Sequence, residues 1–79
     1  MSRDWTLFLR DMLTACEKVQ RYVSGMTRES FFADERTYDA VVRNLEIIGE
    51  ASKQIPDSVR ESLSQIEWAK IGQIGRAHV

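Results

Sequence analysis

Apolar residues recur at steps of three and four over the first part of the chain. Between residues 4 and 23 they fall at Trp5, Phe8, Leu9, Met12, Leu13, Cys16, Val19 and Val23. This spacing predicts an amphipathic helix, because apolar side chains then share one face. Asp4 or Ser2 can cap its start, and Ser24-Gly25 predicts its end. Since Cys16 lies within the apolar stripe, we expect it to be a small buried side chain, not a reactive thiol.

The next segment, MTRESFFADE, interrupts this pattern. Thr27 followed by Ser30 is a weak capping signal for a single turn that carries Phe31 and Phe32. We expect the two phenylalanines to anchor this connection on the core; the alternative is an exposed aromatic pair that binds a partner. Asp34 is the predicted cap of the following helix.

The strongest helical pattern is YDAVVRNLEIIGEASKQI, residues 38–55. Its apolar positions cover more than half of the helical circumference, which predicts a helix at the centre of a bundle. They form one stripe of Tyr38, Val41, Val42, Leu45, Ile48, Ser52 and Ile55 and a second of Ala40, Ile47 and Ala51. Gly49 in its middle suggests that another backbone passes close by, and Pro56 should end the helix.

The remaining face of this helix is charged, with Arg43, Glu46, Glu50 and Lys53 at spacings of three, four and three. One interpretation is a solvated strip of ion pairs, each contributing a few tenths of a kcal/mol. The other is a polar cleft or dimer seam bordered by Arg43, Asn44, Glu46 and Glu50. The spacing alone leaves both open.

The last third of the chain continues with PDSVRESLSQIEWAKI. Pro56 with Asp57 or Ser58 predicts a short helix, and a further helix should follow. Ile66, Trp68 and Ile71 are expected to pack on the bundle. No alternating strand pattern occurs, so the predicted fold class is all-α.

Composition narrows the functional classes. The chain has 79 residues, enough for one domain. Its 11 Lys and Arg against 12 Asp and Glu give a net charge of −1, so the chain lacks the general excess of positive charge that favours nucleic-acid binding. One cysteine excludes an intrachain disulfide, and the chain has neither a membrane-length apolar run nor a signal peptide's apolar core, so a soluble cytoplasmic protein is expected. Without an HExxH, a CxxC or a glycine-rich phosphate loop, no metal or cofactor is expected.

The run DAVVRNLEIIGEASKQIP resembles the HepT-like family of small helical HEPN-domain proteins. The likeness covers about residues 4–72: DWTLFLRDMLTACEKVQRYVSGMTRESFFAD is similar to the family's first helix and aromatic turn, and IPDSVRESLSQIEWAKI to the link into its third long helix. The resemblance implies an antiparallel helical bundle that forms a two-fold homodimer. It also implies a metal-independent endoribonuclease toxin of a bacterial or archaeal toxin–antitoxin system, inhibited by a nucleotidyltransferase antitoxin encoded beside it.

The family's catalytic signature is an Arg, a His four to six residues later, and a Tyr two beyond the His. The His moves protons at the ribose 2′-hydroxyl, the Arg binds the phosphate, and the antitoxin adenylylates the Tyr. This signature belongs just after EWAKI, where the chain has Arg76 and His78 only two positions apart and no Tyr after them. Positions two apart on a helix point about 200° from each other, so neither residue is assigned a catalytic role.

The tail itself, IGRAHV, is the translation of part of a widely used short-read sequencing adapter whose next codon in this frame is a stop. We therefore expect residues 1–73 to be the N-terminal part of a HepT-like domain without its C-terminal helices, and residues 74–79 to be a non-native tail; the alternative is that these six residues are natural. The fragment is expected to be inactive. The alternative is a non-catalytic helical module that partners a nucleotidyltransferase. A purely structural bundle would follow if the strip of Arg43, Glu46 and Glu50 proved fully solvated.

Overall fold

A computed structural model describes residues 4–73 of the chain, and every regular element in that range is a helix. The helices are α1 Trp5–Val23, α2 Arg28–Ala33, α3 Glu35–Ser52, α4 Asp57–Ser62 and α5 Trp68–Gln73. The predicted all-α fold class is therefore confirmed. None of these helices combines the length and apolar character that crossing a bilayer requires.

Helix α1 begins and ends where the sequence predicts. The Asp4 carboxylate accepts a hydrogen bond from the backbone N–H of Thr6 at 3.0 Å, which satisfies one of the N–H groups that a helix start leaves unpaired. After Val23 the chain leaves the helix, and Gly25 has φ 76°. Glycine adopts this left-handed conformation without the steric cost that a Cβ would add.

Helix α2 starts with a reciprocal capping box. The Thr27 hydroxyl accepts from the Ser30 N–H at 3.0 Å, and the Ser30 hydroxyl accepts from the Thr27 N–H at 2.9 Å. Serine here occupies the position that Glu or Gln usually takes. The signal that seemed weak in the sequence thus forms a complete cap for a helix of six residues.

Helix α3 starts where the sequence predicts but ends three residues before Ile55, the last position of the predicted pattern. Asp34 caps it as predicted, accepting from the Thr37 N–H at 3.1 Å, so the helix starts at Glu35. It ends at Ser52, and turns lead to Pro56. The N–H groups of Lys53, Gln54 and Ile55 donate to the carbonyls three residues back, so the last turn is tighter than an α-helix, and Pro56 has no N–H with which to continue it.

The core lies between α1 and α3, which pack along each other because the short α2 connection turns the chain back. Its buried residues are Met12 and Ala15 of α1, Ile48 and Ala51 of α3, and Ile55 after it. Partly buried side chains surround them: Trp5, Phe8, Leu9, Leu45, Ile47, Val59, Trp68 and Ile71. Trp68 and Ile71 therefore pack on the bundle as predicted.

The expected burial of Cys16 is wrong. Cys16 is exposed, and its neighbour in the predicted stripe, Leu13, is 61% exposed. Helix α3 covers the face that carries Met12 and Ala15. Residues 13 and 16 are each one position further along the helix, rotated by about 100° onto its flank. The stripe is thus wider than the surface that α3 covers.

The aromatic anchor forms with one of its two predicted rings. Phe31 is half-buried and lies 5.7 Å from the Tyr38 ring, centroid to centroid. Phe32 packs edge-to-face on Phe31 at 5.2 Å but stays 60% exposed. The Phe32 ring also lies 6.1 Å from the Tyr38 ring, so both phenylalanines contact the start of α3, but the exposure of Phe32 contradicts its expected role as an anchor on the core.

Candidate functional site

A groove of about 520 Å³ lies between α1, α3 and α5. Its lining divides by chemistry. The apolar part comes from Phe8, Ile47, Gly49, Ala51 and Gly72, and the polar part from Asp11, Arg43, Glu46, Glu50 and Gln54. Helix α3 supplies most of both parts, so the most distinctive stretch of the sequence also builds the groove.

Three of the four predicted cleft residues meet at this groove. Arg43, Glu46 and Glu50 line it, because spacings of three and four place them along one side of α3. Asn44 does not. Its side chain is buried, and its amide nitrogen donates to the Ala40 carbonyl at 2.8 Å. The structure therefore separates Asn44 from the other three.

The same charged residues also form ion pairs along the helix. Arg43 Nη1 lies 4.0 Å from Glu46 Oε2, and Lys53 Nζ lies 3.2 Å from Glu50 Oε1. The Arg43 and Glu50 side chains are 73% and 75% exposed, so each pair contributes at most about 1 kcal/mol. The polar face is thus both a solvated strip and the edge of a groove.

The charges of the lining favour a cationic or neutral occupant. Asp11, Glu46 and Glu50 are acidic, and Arg43 is the basic residue among them. Phosphate groups are attracted by clustered Lys and Arg, which this lining lacks. Within residues 4–73, no three His, Cys, Asp or Glu side chains are placed to hold a metal ion together.

Sequence reasoning missed the contributions of α1 and α5 to the groove. Phe8 and Asp11 are three residues apart and so share a face of α1, which a wheel of that helix could have shown beside the buried stripe. Gly72 of α5 lies at the groove because α5 packs against the end of α3. A Cβ built on Gly72 would lie 3.9 Å from the Ser52 hydroxyl oxygen. Gly49 is buried and lines the groove. The close backbone approach expected at Gly49 stays a prediction.

Arg76 and His78, together with the rest of the predicted tail at 74–79, lie outside the described residues.

Comparison with known proteins identifies the family. The family model described as Ribonuclease HepT-like matches residues 12–75. The chain belongs to the HepT-like family. The match begins within α1, after the groove residues Phe8 and Asp11, and takes in helices α2 to α5.

Curated HepT-like relatives agree with this assignment. A protein of Thermococcus cleftensis named "Probable ribonuclease HepT" is 35% identical over 74 residues, which are 94% of this chain and 67% of the relative. A Caldanaerobacter subterraneus protein named as a candidate RNase is 41% identical over 64 residues, 81% of this chain and 57% of the relative. A Methanocaldococcus jannaschii protein, named for a gamma-glutamylcyclotransferase and a candidate RNase, is 34% identical over 94% of this chain and 33% of its own length.

The chain therefore spans between a third and two thirds of the length of these relatives. No solved structure matches it significantly.

Proposed function

We propose that this chain supplies the N-terminal helices of a metal-independent endoribonuclease toxin that acts in the cytoplasm and is restrained by a nucleotidyltransferase antitoxin. The observation that carries the proposal is the HepT-like match over residues 12–75, on a chain whose described part is entirely helical between its turns. The ribonuclease names of the relatives support RNA as the substrate. The toxin role and the antitoxin follow from the family resemblance.

We further propose that the chain as written does not cleave RNA by itself. Its one histidine is His78, two positions after Arg76, and no Arg precedes it by four to six residues. Cleavage at the 2′-hydroxyl uses a proton-transfer group at the attacking or leaving oxygen and a group that stabilises the charge developing on the phosphate. The signature that the family resemblance implies has its His four to six residues after the Arg, and a spacing of two does not match it.

RNA cleavage in the presence of a chelator tests both statements. The purified 79-residue chain and the longer Thermococcus cleftensis relative would be incubated with the same labelled RNA and EDTA. We expect cleavage by the relative alone. Cleavage by this chain that disappears in His78→Ala would contradict its proposed inactivity. A relative that leaves the RNA intact would contradict the nuclease assignment and favour the non-catalytic module that binds a nucleotidyltransferase.

We also propose that two copies pair through the groove face of α3. When a two-fold axis relates two antiparallel helices, each residue of one copy lies opposite a residue of the other copy. The two residue numbers of every such pair add to the same value. If the axis passes between Glu46 and Ile47, Arg43 of each copy faces Glu50 of the other. Ile47 then lies beside the axis, where it adds apolar contact. The charge order of this face is therefore complementary to itself, which supports the homodimer that the resemblance implies.

Charge exchange tests this pairing by sedimentation equilibrium. Arg43→Glu and Glu50→Arg should each weaken the dimer, because each places like charges opposite one another twice. The double variant should restore association, since residues 43 and 50 then exchange their charges and each again faces an opposite charge in the other copy. Far-UV circular dichroism of each variant controls for folding. Single variants that associate as the parent does would exclude this face as the dimer seam.

A further inference from the structure

Arg60 of α4 joins the end of α3 to the turn that follows it. Its Nε donates to the Ile55 carbonyl at 3.0 Å, and its Nη2 donates to the Ser52 carbonyl. Ser52 is the last residue of α3, and its carbonyl also accepts from the Ile55 N–H at 3.3 Å, whereas Ile55 lies in the turn after the helix. A guanidinium suits this place because its fork offers several donors and its charge opposes the negative end of the helix dipole.

The same guanidinium faces the first residue of α5. Arg60 Cζ lies 5.8 Å from the centre of the Trp68 ring, within the range of a cation–π contact. The indole N–H of Trp68 donates to the Leu63 carbonyl at 3.3 Å, so the ring is fixed at its other edge by the loop after α4. Arg60 thus lies between the end of α3 and the start of α5 and contacts both.

Helix α5 in turn forms one side of the groove. It has only six residues, too few to be stable through its own hydrogen bonds, so its position depends on contacts with the rest of the fold. Gly72 lines the groove, close to the Ser52 hydroxyl. The Ser52 hydroxyl is itself fixed, because it donates to the Gly49 carbonyl at 2.7 Å. The groove is therefore complete only when α5 lies against the end of α3.

We propose that Arg60 is a positioning residue for the groove: by bridging the carbonyls of Ser52 and Ile55 to the Trp68 ring, it holds α5 against α3. Arg60 does not line the groove and acts on it through Trp68. The relevance of Arg60 to RNA cleavage rests on the proposed function. The attachment of α5 to α3 by Arg60 does not rest on it, so the experiment below can fail without contradicting the proposed function.

Trp68 reports the attachment directly. In a Trp5→Phe background Trp68 is the only tryptophan, since the chain has two. Arg60→Met keeps the length of the side chain but removes the charge and the donors. We expect the Trp68 emission to shift to longer wavelength, its near-UV circular dichroism to fall, and the Ile71 amide to exchange about tenfold faster. The core amides of Met12 and Ile48 should keep their protection.

Two matched variants separate this role from a general effect of charge. Arg10→Met removes an exposed arginine of α1 and should leave the Trp68 signals unchanged. Arg60→Lys keeps the positive charge but has one nitrogen, which cannot reproduce the fork, so it should recover less than half of the lost signal. Full recovery with lysine, or no change in Arg60→Met, would overturn the proposal.

A double-mutant cycle tests whether Arg60 and Trp68 act through the same contact. Trp68→Leu removes the ring and leaves the arginine bonded to Ser52 and Ile55. We expect the Ile71 amide to exchange faster in this variant, with no further increase when Arg60→Met is added. Additive effects of the two changes would show that Arg60 and Trp68 act independently and would refute the bridge.

Discussion

The amide nitrogen of Asn44 donates to the Ala40 carbonyl one turn earlier in α3, at 2.8 Å. The side chain is 6% exposed, so the polar residue that the sequence placed at a cleft lies inside the bundle. Its partner is on its own helix. Asn44 therefore adds to the packing of α3 and offers no amide to a ligand in the groove.

Asn44→Asp should destabilise the fold strongly, whereas Asn44→Ala should not. The aspartate has no N–H to give to Ala40, and its charge would be buried against a carbonyl, at a cost of about 3 kcal/mol in the free energy of unfolding at neutral pH. Burial raises the pKa of such a carboxyl, so stability should recover as the pH falls toward about 4. Asn44→Ala loses one hydrogen bond but gains helix propensity, for a net change of about 1 kcal/mol or less. Urea denaturation at two pH values measures both; equal losses would contradict the buried position.

The two glycines Gly25 and Gly72 should respond to alanine in opposite directions. Gly25 has φ 76°, where a Cβ is strained, so Gly25→Ala should lower the unfolding free energy by about 1 kcal/mol. At Gly72 a Cβ would meet the Ser52 hydroxyl oxygen at 3.9 Å, an ordinary contact, and alanine favours the helix by up to about 1 kcal/mol. Thermal denaturation of both variants decides this. A destabilised Gly72→Ala would mean that α5 lies closer to α3 than described.

Asp34 should make the start of α3 sensitive to acid. The pKa of its carboxyl lies below the ordinary value of 3.8, first because of the hydrogen bond from the Thr37 N–H and next because of the bond from the Thr37 hydroxyl. A lowered pKa in the folded state means that the contribution to stability is present above the unfolded-state value and is lost as the pH falls through the folded-state value. The start of α3 should therefore loosen only below pH 3.8.

An NMR titration of the Asp34 carboxyl carbon checks this pKa. Thr37→Val removes the hydroxyl but keeps the N–H, so the pKa should rise only part of the way to its ordinary value. Asp34→Asn retains an oxygen for the cap and should abolish the acid-dependent loosening. A pKa in Thr37→Val that returns fully to the ordinary value would show that the hydroxyl, not the N–H, is the larger cause.

Cys16 should react with Ellman's reagent in the folded protein, because its side chain is exposed on α1. We expect a rate within a few-fold of the rate in urea, since the reagent reaches the exposed thiol without unfolding. Ala15→Cys in a Cys16→Ser background is the matched control: residue 15 is 2% exposed, and a thiol there should react only on unfolding. Slow reaction of Cys16 without urea would show that another surface covers it.

Leu13 should contribute to self-association and not to the core. It is 61% exposed, and Leu7 and Phe32 are exposed as well. Leu13→Lys should leave the unfolding free energy within about 0.5 kcal/mol of the parent and reduce both association and the binding of a dye for apolar surface. Leu45→Lys, at a half-buried position packed on the core, should destabilise the fold. Equal stability losses in the two variants would contradict the described packing of α1.

Local chemistry made the starts of the helices predictable. Asp4, Thr27 and Asp34 cap helices through hydrogen bonds to residues two or three positions ahead, and such bonds depend on the neighbouring sequence alone. The central place of α3 was predictable for a related reason, since a helix that is apolar around more than half of its surface must be covered on several sides.

Which apolar residues are covered was not predictable in the same way. Leu13 and Cys16 have the correct spacing for burial, yet they are exposed because α3 covers only the neighbouring face. Asn44 carries a polar side chain, yet it is buried because its helix supplies an acceptor. In both cases burial depends on where the other helices lie, and the periodicity of one segment carries no information about their positions.

The sequence by itself determined the fold class, the caps and the family, because periodicity, short-range hydrogen bonding and motif likeness are properties of consecutive residues. Only the tertiary structure decided the groove. Its lining joins Phe8 and Asp11 of α1 to Glu46 of α3 and Gly72 of α5, residues far apart along the chain. Their proximity follows from helix packing and from the position of Arg60 between Ser52 and Trp68, and no local pattern encodes it.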